Sequence, residues 1–187
     1  MNVIDTGLPG VLMLEPTIRE DERGYFFEVW QEVYHHTLGV MGPFVQDNLS
    51  HSRRGVLRGL HLQWPMAQGK LVTVTFGQVF DVAVDVRRGS STFGQWTGSV
   101  LSDTNHRQLW IPQGYAHGFA VLSDAATVQY KATAPYVPSD ELTIAWNDPT
   151  IGIAWPLTAP LMSHRDAIAP RLSEIAPDRL PTLIAGE

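Results

Sequence analysis

The chain has 187 residues, about the length of one domain, and a domain of that length buries roughly 70% of its unfolded surface. Its 13 Lys and Arg against 19 Asp and Glu give a net charge of -6, which argues against a nucleic-acid partner, and the lack of cysteine excludes disulfides and thiolate chemistry. No basic leader and no run of about 18 apolar residues occurs, so we expect a cytoplasmic protein without a membrane partner.

Short strands dominate the predicted secondary structure. In chain order they are expected at residues 11–14, 24–29, 56–63, 72–76, 79–86, 95–101, 107–111, 118–122, 128–132 and 142–144. One short helix is expected over residues 30–38, ending at Gly39, which can adopt the left-handed cap. The close spacing of Gly, Pro, Asn and Asp between the strands is typical of an all-β sandwich or barrel.

The segment 79–86 has the clearest strand pattern. Alternation places four apolar side chains on one face, and these are Phe80, Val82, Val84 and Val86. Asp81 and Asp85 fall on the opposite face. We expect a single domain over residues 1–187, in which the Pro-rich tail from about residue 170 is partly mobile.

Two segments match the motifs of the cupin superfamily, which are Gly, five residues and His-x-His, and then Pro-x-Gly-x-x-His. The first begins at Gly55 and ends in His61-Leu62-Gln63, and the second reads Pro112-Gln113-Gly114-Tyr115-Ala116-His117. The resemblance implies an all-β, cupin-type jelly-roll barrel or sandwich with a few short helices.

The metal ligands of the cupin motif are incomplete in this chain. Gln63 stands where the second histidine is expected, Ala67 or Gln68 where the acid is expected, and Lys70 adds a cation nearby. Divalent metals favour neutral imidazoles and carboxylates, so this set predicts no metal site. A metal-dependent cupin such as a dioxygenase is the alternative that the motif leaves open.

The polar residues that remain resemble acid-base and oxyanion groups in a barrel mouth, and they are Arg58, His61, Gln63, Lys70 and His117. His61 and Gln63 share a strand face. Arg58 has the opposite parity, but a bulge at Gly59 would turn the Arg58 and His61 side chains to the same side. The alternative is a hydrogen-bonded core histidine with Arg58 and Lys70 as solvated surface charges.

An ordered set of eight segments resembles one cupin family, the dTDP-4-dehydrorhamnose 3,5-epimerases. The segments lie at residues 21–24, 44–48, 55–61, 68–70, 80–85, 108–112, 116–119 and 146–149. The resemblance covers about residues 2–170. It implies an isomerase that needs no cofactor and removes the C3 and C5 protons of dTDP-4-dehydro-6-deoxyglucose, next to the C4 ketone, through an enolate.

Four residues carry the chemistry that the resemblance implies. His61 is the base, and Asp166 orients it and favours its protonated form, with Asp81 as the alternative orienting carboxylate. Lys70 lies at the developing enolate oxygen. Tyr130 donates a proton from the opposite face of the sugar, and a nearby cation is expected to lower the pKa of its phenol.

Most of the predicted substrate-binding set comes from the same resemblance. These residues are Arg23, Glu28, Gln46, Asn48, Arg58, His117, Tyr136, Glu141 and Arg165, and the polar group of the barrel mouth adds Gln63. The arginines suit a diphosphate because a guanidinium forms paired charge-assisted hydrogen bonds, and the ring of Tyr136 is expected to stack on the thymine.

The chain departs from the family pattern at a few positions. Leu49 replaces a histidine, Leu62 replaces a tyrosine, and His164-Arg165 replaces Glu-Lys before Asp166. These changes bear on fine substrate preference. Because no motif reports which carbons are inverted, a relative that inverts only C3 or only C5 stays open, as does a non-catalytic sugar-nucleotide binder or a 3,4-ketoisomerase-like relative. Family members are homodimers in which an N-terminal strand pairs with the partner's sheet, so a homodimer is expected here.

Overall fold

A computed structural model describes residues 1–183 of the chain. The strands in this part are β1 (Asn2–Asp5), β2 (Leu12–Glu15), β3 (Arg19–Asp21), β4 (Gly24–Phe26), β5 (Gln46–Arg53), β6 (Leu57–Gln63), β7 (Lys70–Phe76), β8 (Gln78–Asp85), β9 (Trp96–Ser102), β10 (Gln108–Ile111), β11 (Tyr115–Val121), β12 (Ala125–Ala132) and β13 (Glu141–Thr143). Two short helices accompany them, α1 (Glu32–Thr37) and α2 (His164–Ala167). Neither helix in this part is long and apolar enough to cross a membrane.

Two antiparallel sheets form a sandwich. The six-stranded sheet has the order β1-β2-β10-β7-β12-β5, and the five-stranded sheet has the order β13-β6-β11-β8-β9. The hairpin of β3 and β4 stands apart from both. Strands distant in sequence, such as β5 and β12, are neighbours, as jelly-roll topology requires. The prediction of an all-β, cupin-type jelly roll with a few short helices is confirmed.

The main core lies between the sheets. Val72, Val74 and Val128 from the six-stranded sheet meet Val79 and Ala83 from β8, and each is at most 2% exposed. The other face of β8 carries the predicted apolar set and packs into a second cluster. Both faces of β8 are therefore covered, and Asp81 and Asp85, on the face toward the main core, are fully buried.

The C-terminal segment covers the outer face of the five-stranded sheet. Leu172, Ile175 and Leu180 are at most 9% exposed and belong to the second cluster. A partly mobile tail was expected from about residue 170, but the segment is packed as far as Leu183, and residues 184–187 lie outside the described part. Its apolar residues are isolated among prolines, so no periodic pattern indicated this packing.

Sequence patterns missed three strands and located the helix. α1 begins two residues inside the predicted range of 30–38 and ends one residue before its end. β1, β3 and β5 were not predicted. β5 reads Gln-Asp-Asn-Leu-Ser-His-Ser-Arg, and only Ser52 in it is buried. It is a strand because it pairs with β12 along its whole length, and tertiary pairing overrides weak local propensity.

A bulge in β6 is the local feature that positions the site. The register with β11 moves from His61 opposite His117 to Arg58 opposite Phe119, so three steps along β6 match two along β11. The bulge predicted at Gly59 is therefore confirmed. Gly59 has a φ of 116°, and a Cβ there would lie 2.6 Å from the Cα of Gly118. Only glycine fits this crossing.

Replacing Gly59 with Ala is expected to lower the free energy of unfolding by about 3 kcal/mol, since backbone strain is added to a backbone overlap. Gly55 is the matched control because its φ is 79° and a Cβ there meets nothing within 4 Å. Gly55→Ala should lower the free energy of unfolding by only about 1 kcal/mol. Urea unfolding of both variants measures the difference, and equal losses would contradict the role given to the crossing.

Candidate active site

A cleft of about 470 Å³ opens between β6, β13 and α2. It brings together six residues that the sequence assigned to the site, namely Arg58, His61, Tyr136, Glu141, Arg165 and Asp166. Because of the bulge at Gly59, the side chains of Arg58 and His61 both line this cleft. The Arg58 guanidinium is fixed by its Nε, which donates to Ser52 Oγ at 3.0 Å.

His61 and Asp166 form the central pair of the cleft. His61 Nε2 lies 2.7 Å from Asp166 Oδ1, and the two side chains are 29% and 5% exposed. Burial favours the neutral acid, but hydrogen bonds from His61, Ser163 and the Gly59 backbone together lower the pKa of Asp166. The ionised carboxylate holds the proton of the neutral ring on Nε2, so Nδ1 carries the lone pair.

A second histidine-carboxylate pair lies behind the first. His117 Nε2 is 3.0 and 3.1 Å from the two carboxylate oxygens of Asp81, and both residues are buried. Asp81 is thus bound to His117, and the carboxylate at His61 is Asp166. His117 was assigned to the substrate, but its Nε2 is already occupied by Asp81.

Lys70 and Tyr130 are neighbours on the inner face of the six-stranded sheet. Lys70 Nζ lies 5.7 Å from the centre of the Tyr130 ring. Burial lowers the pKa of Lys70 to about 8, against the opposing fields of Glu141 and Asp81. The Tyr130 ring also approaches His117, with ring centres 6.4 Å apart.

The expected effect of a cation on Tyr130 is present, because the charge of Arg58 lowers the pKa of the phenol, but it does not decide the direction of the shift. Burial and the charge of Glu141 raise the pKa of Tyr130, and they outweigh the lowering effect of Arg58. The phenol therefore keeps its proton at neutral pH more firmly than a free tyrosine. A donor must be protonated before it reacts, which Tyr130 satisfies, but the raised pKa also makes the phenol a weaker acid.

Gln46 and Asn48 lie beside the cleft on β5. Gln46 Nε2 donates to Asn48 Oδ1 at 2.9 Å, and Gln46 Oε1 accepts from the backbone N–H of Tyr136 at 2.8 Å. Gln46 therefore fixes the backbone of a cleft residue.

Gln63 was expected to contact substrate, and the structure shows its amide bonded within the chain instead. Its Nε2 donates to the carbonyls of Met66 and Pro135, at 2.5 and 3.0 Å. Its Oε1 accepts from the backbone N–H of Val137 at 2.8 Å. With 5% exposure, the side chain ties two loops together behind the cleft.

Arg23 and Glu28 are not brought to His61 within this chain. Arg23 lies in the turn of the β3–β4 hairpin, where it pairs with Asp21 and its side chain is 84% exposed. Glu28 lines a different cleft, together with Met1 and Tyr34.

The family departures at Leu49 and Leu62 lie away from the cleft. Leu62 is 4% exposed in the cluster outside the five-stranded sheet, and Leu49 is 67% exposed on β5. Two serines that support the site, Ser52 and Ser163, were not predicted from the sequence. Ser163 Oγ accepts from the backbone N–H of Asp166 at 3.1 Å, and the spacing Ser-x-x-Asp at a helix start is a signal that can reveal such a cap.

Within residues 1–183 no cluster of three or more His, Asp or Glu side chains is arranged to hold a metal ion. Gln63, at the position of a cupin ligand, is committed to backbone groups. That the protein works without a metal or another cofactor stays a prediction.

Replacing Gln63 with Leu is expected to lower the free energy of unfolding by about 3 kcal/mol, because it leaves three backbone groups without their partner. Gln68 is the matched control, since its Nε2 donates to a single carbonyl, that of Ala134, at 2.8 Å. Gln68→Leu should lower the free energy of unfolding by about 1 kcal/mol. Urea unfolding distinguishes the two variants. An unchanged free energy of unfolding in Gln63→Leu would contradict the structural role of Gln63 and favour its predicted role in substrate binding.

Comparison with known proteins gives one consistent result. A family model described as dTDP-4-dehydrorhamnose 3,5-epimerase matches residues 5–174. The Salmonella typhimurium dTDP-4-dehydrorhamnose 3,5-epimerase is 54% identical over 177 residues, which are 93% of this chain and 97% of that protein. The Neisseria gonorrhoeae protein of the same name is 54% identical over 89% of this chain, which spans only 51% of its length.

A solved structure agrees over the whole fold. The crystal structure of dTDP-6-deoxy-D-glucose-3,5-epimerase from Legionella pneumophila, in complex with dTDP-4-keto-L-rhamnose, superposes with a TM-score of 0.95 at 50% identity. The alignment covers 98% of this chain and 99% of that one. With the match to the family model, this shows that the chain belongs to the dTDP-4-dehydrorhamnose 3,5-epimerase family.

Proposed function

We propose that this protein is an isomerase that inverts C3 and C5 of dTDP-4-dehydro-6-deoxyglucose, in the biosynthesis of dTDP-rhamnose or a related deoxysugar. The observation that carries the proposal is the 2.7 Å contact between His61 Nε2 and a buried, ionised Asp166 at the wall of the cleft. A base held in this way suits the removal of a proton next to a ketone.

His61 begins the reaction. With Nε2–H fixed on Asp166, the lone pair of Nδ1 takes the proton from the carbon beside the C4 ketone. The charge of Asp166 stabilises the imidazolium that forms, as in other histidine-carboxylate pairs. Because the carboxylate is 5% exposed, little solvent weakens this attraction.

Lys70 and Tyr130 complete the proton transfer. The Lys70 ammonium stabilises the enolate oxygen, and a buried cation acts more strongly on the developing charge than on the neutral ketone. Tyr130 gives its proton to the opposite face of the carbon, which inverts the centre. The phenol of Tyr130 is protonated at neutral pH, as a donor must be, and its ring lies next to Lys70.

The rest of the cleft is assigned to the nucleotide. Arg58 and Arg165 suit the diphosphate because of their planar, paired donors, and the half-exposed ring of Tyr136 offers a flat surface to the thymine. Gln46, which is bonded to Asn48, fixes the backbone of Tyr136 from β5. His117 lies next to Tyr130 and is held by Asp81.

We also propose that the protein is a homodimer. The β3–β4 hairpin exposes Tyr25 and Phe26 by 59% and 65%, and β1 is an edge strand of its sheet. A second copy would cover this apolar surface and the free edge. The dimer would also explain why Arg23 and Glu28 lie away from His61 of their own chain. A cytoplasmic location, and the lack of nucleic-acid and membrane partners, stay predictions.

The proposed function is tested by NMR of dTDP-4-dehydro-6-deoxyglucose with the purified protein in D2O, without added metal. Deuterium is expected at both C3 and C5. His61→Ala should abolish exchange, while its affinity for dTDP stays within about tenfold of the wild-type value. The reason is that His61 removes the proton, whereas the arginines bind the diphosphate. His51, exposed on β5 and bonded to Thr127, is the control histidine, and His51→Ala should still catalyse exchange.

The other outcomes separate the alternatives. Exchange at C3 or C5 alone would identify a single-site epimerase. Intact dTDP binding without exchange would identify a binder or an enzyme of another sugar. Activity that appears only after metal is added would indicate a metal-dependent cupin.

The pKa of Lys70 predicts an alkaline limit of activity. Its pKa of about 8 lies below the usual 10.5, so the catalytic cation is present below pH 8 and is lost as the pH rises through that value. We expect kcat/KM to fall about tenfold per pH unit above this point. In Lys70→Arg the remaining activity should not fall above pH 8, because a guanidinium stays charged. If the alkaline fall in kcat/KM persists in Lys70→Arg, a group other than Lys70 causes it.

A further inference from the structure

The β3–β4 hairpin carries Arg23 in its turn and leads directly to Glu28, and these are the two predicted substrate-binding residues that lie away from His61 of their own chain. Its two strands form a small sheet of their own. A two-stranded hairpin is only marginally stable by itself, so its orientation depends on the side-chain contacts that it makes with the body of the protein.

One ring from the body of the protein lies against this hairpin. His106, in the turn before β10, has its ring centre 4.7 Å from that of Tyr25 and 4.9 Å from that of Phe27. The two hairpin rings are 6.1 Å apart and only 21° from parallel, so His106 meets both of them at once. Tyr25 is 59% exposed and His106 is 8% exposed. The histidine is therefore the buried half of an aromatic contact of favourable distance.

His106 reaches the hairpin from an uncommon backbone conformation. Its φ is 52°, in the left-handed region, where residues other than Gly, Asn, Asp and His are rare. Asn105 holds the turn in this shape, because its Oδ1 accepts from the backbone N–H groups of Ser102 and Arg107, both at 3.0 Å. The N–H of His106 donates to the carbonyl of Ser102 at 2.9 Å. The body of the protein thus sets the direction in which the His106 side chain leaves the backbone.

The chain that leaves the hairpin is fixed by a separate contact. Gln108, two residues after His106 and fully buried, donates from Nε2 to the carbonyl of Val29 at 3.0 Å. This bond lies beyond the end of β4, so it does not set the orientation of the hairpin strands. Successive side chains of a strand point to opposite faces, and Phe26, next to Tyr25, is 65% exposed. His106 therefore supports one face of the hairpin and leaves the other face open.

We propose that His106 is a positioning residue for the substrate site, whose ring holds the β3–β4 hairpin in the orientation from which Arg23 reaches the substrate. The proposal rests on the proposed function and on the homodimer, in which Arg23 would enter the cleft of the second copy. Without the ring, the hairpin would have to be ordered when the substrate binds, and this ordering weakens binding. His106 itself takes no part in proton transfer.

Steady-state kinetics of the full-length protein tests this role. His106→Asn removes the ring but keeps a residue that tolerates the left-handed conformation. We expect its KM for dTDP-4-dehydro-6-deoxyglucose to rise about fivefold with kcat unchanged, because the hairpin binds the ground state and the transition state alike. His106→Phe keeps an aromatic ring, and its KM should stay within about twofold of the wild-type value. His51→Asn, at an exposed histidine on β5, is the matched control and should change neither constant.

Limited proteolysis with trypsin measures the order of the hairpin without any substrate. The bond after Arg23 is cut when the hairpin opens, and the rate follows the population of the open form. We expect this cut, identified by mass spectrometry, to be about tenfold faster in His106→Asn than in the wild type, since two ring contacts are lost. His106→Phe should be cut at close to the wild-type rate. The bond after Arg54, in the turn between β5 and β6, is the internal control for loosening of the whole fold.

Four outcomes would overturn the proposal. A wild-type KM in His106→Asn would show that the ring does not serve the substrate site, and a wild-type cleavage rate would show that it does not hold the hairpin. Equal acceleration of the cuts after Arg23 and Arg54 would reduce the role of His106 to general stability. If the KM increases of His106→Asn and Arg23→Ala multiply fully in the double variant, the ring does not act through Arg23.

Failure of the proposed function gives a different result. A wild-type protein that exchanges no deuterium and binds no dTDP would contradict the proposed function, whereas faster cleavage after Arg23 in His106→Asn would still show that the ring orders the hairpin.

Discussion

The extra residue in β6 at Gly59 is the constraint on which the site depends. In a regular strand, Arg58 and His61 would point to opposite faces, and the bulge turns both into one cleft. The close approach to Gly118 leaves no room for a Cβ. The backbone N–H of Gly59 also contributes to the low pKa of Asp166, so one glycine shapes the strand and supports the carboxylate behind the base.

Buried charges around this bulge are arranged in pairs. Asp166 is satisfied by His61, and Asp81 is satisfied by His117, so neither carboxylate is left unpaired in the interior. Lys70 differs, because it has weaker compensation from Glu141 and Asp81, and burial lowers its pKa to about 8. A cation that is poorly solvated before the reaction gains most when an enolate oxygen forms beside it, which is why its position suits catalysis.

Sequence patterns predicted most of what is local. Alternation in residues 79–86 gave the correct apolar face of β8, and the parity of Arg58 and His61 around a glycine indicated the bulge. The polar strand β5 was missed because its pairing with β12, far along the chain, makes it a strand. Gln63 was assigned to the substrate from its motif position, and no motif reports that loop carbonyls accept hydrogen bonds from its amide in the folded chain.

The sequence by itself determined the fold class, the family and the side chains available for proton transfer, because these depend on alternation, glycine positions and motif order. Only the tertiary structure decided which groups meet. Asp166 and Asp81 were both candidates for His61, and the folding of α2 over β6 brings Asp166 to it across 105 residues while Asp81 is bound to His117. Such contacts join distant segments, and local patterns carry no information about the distance between them.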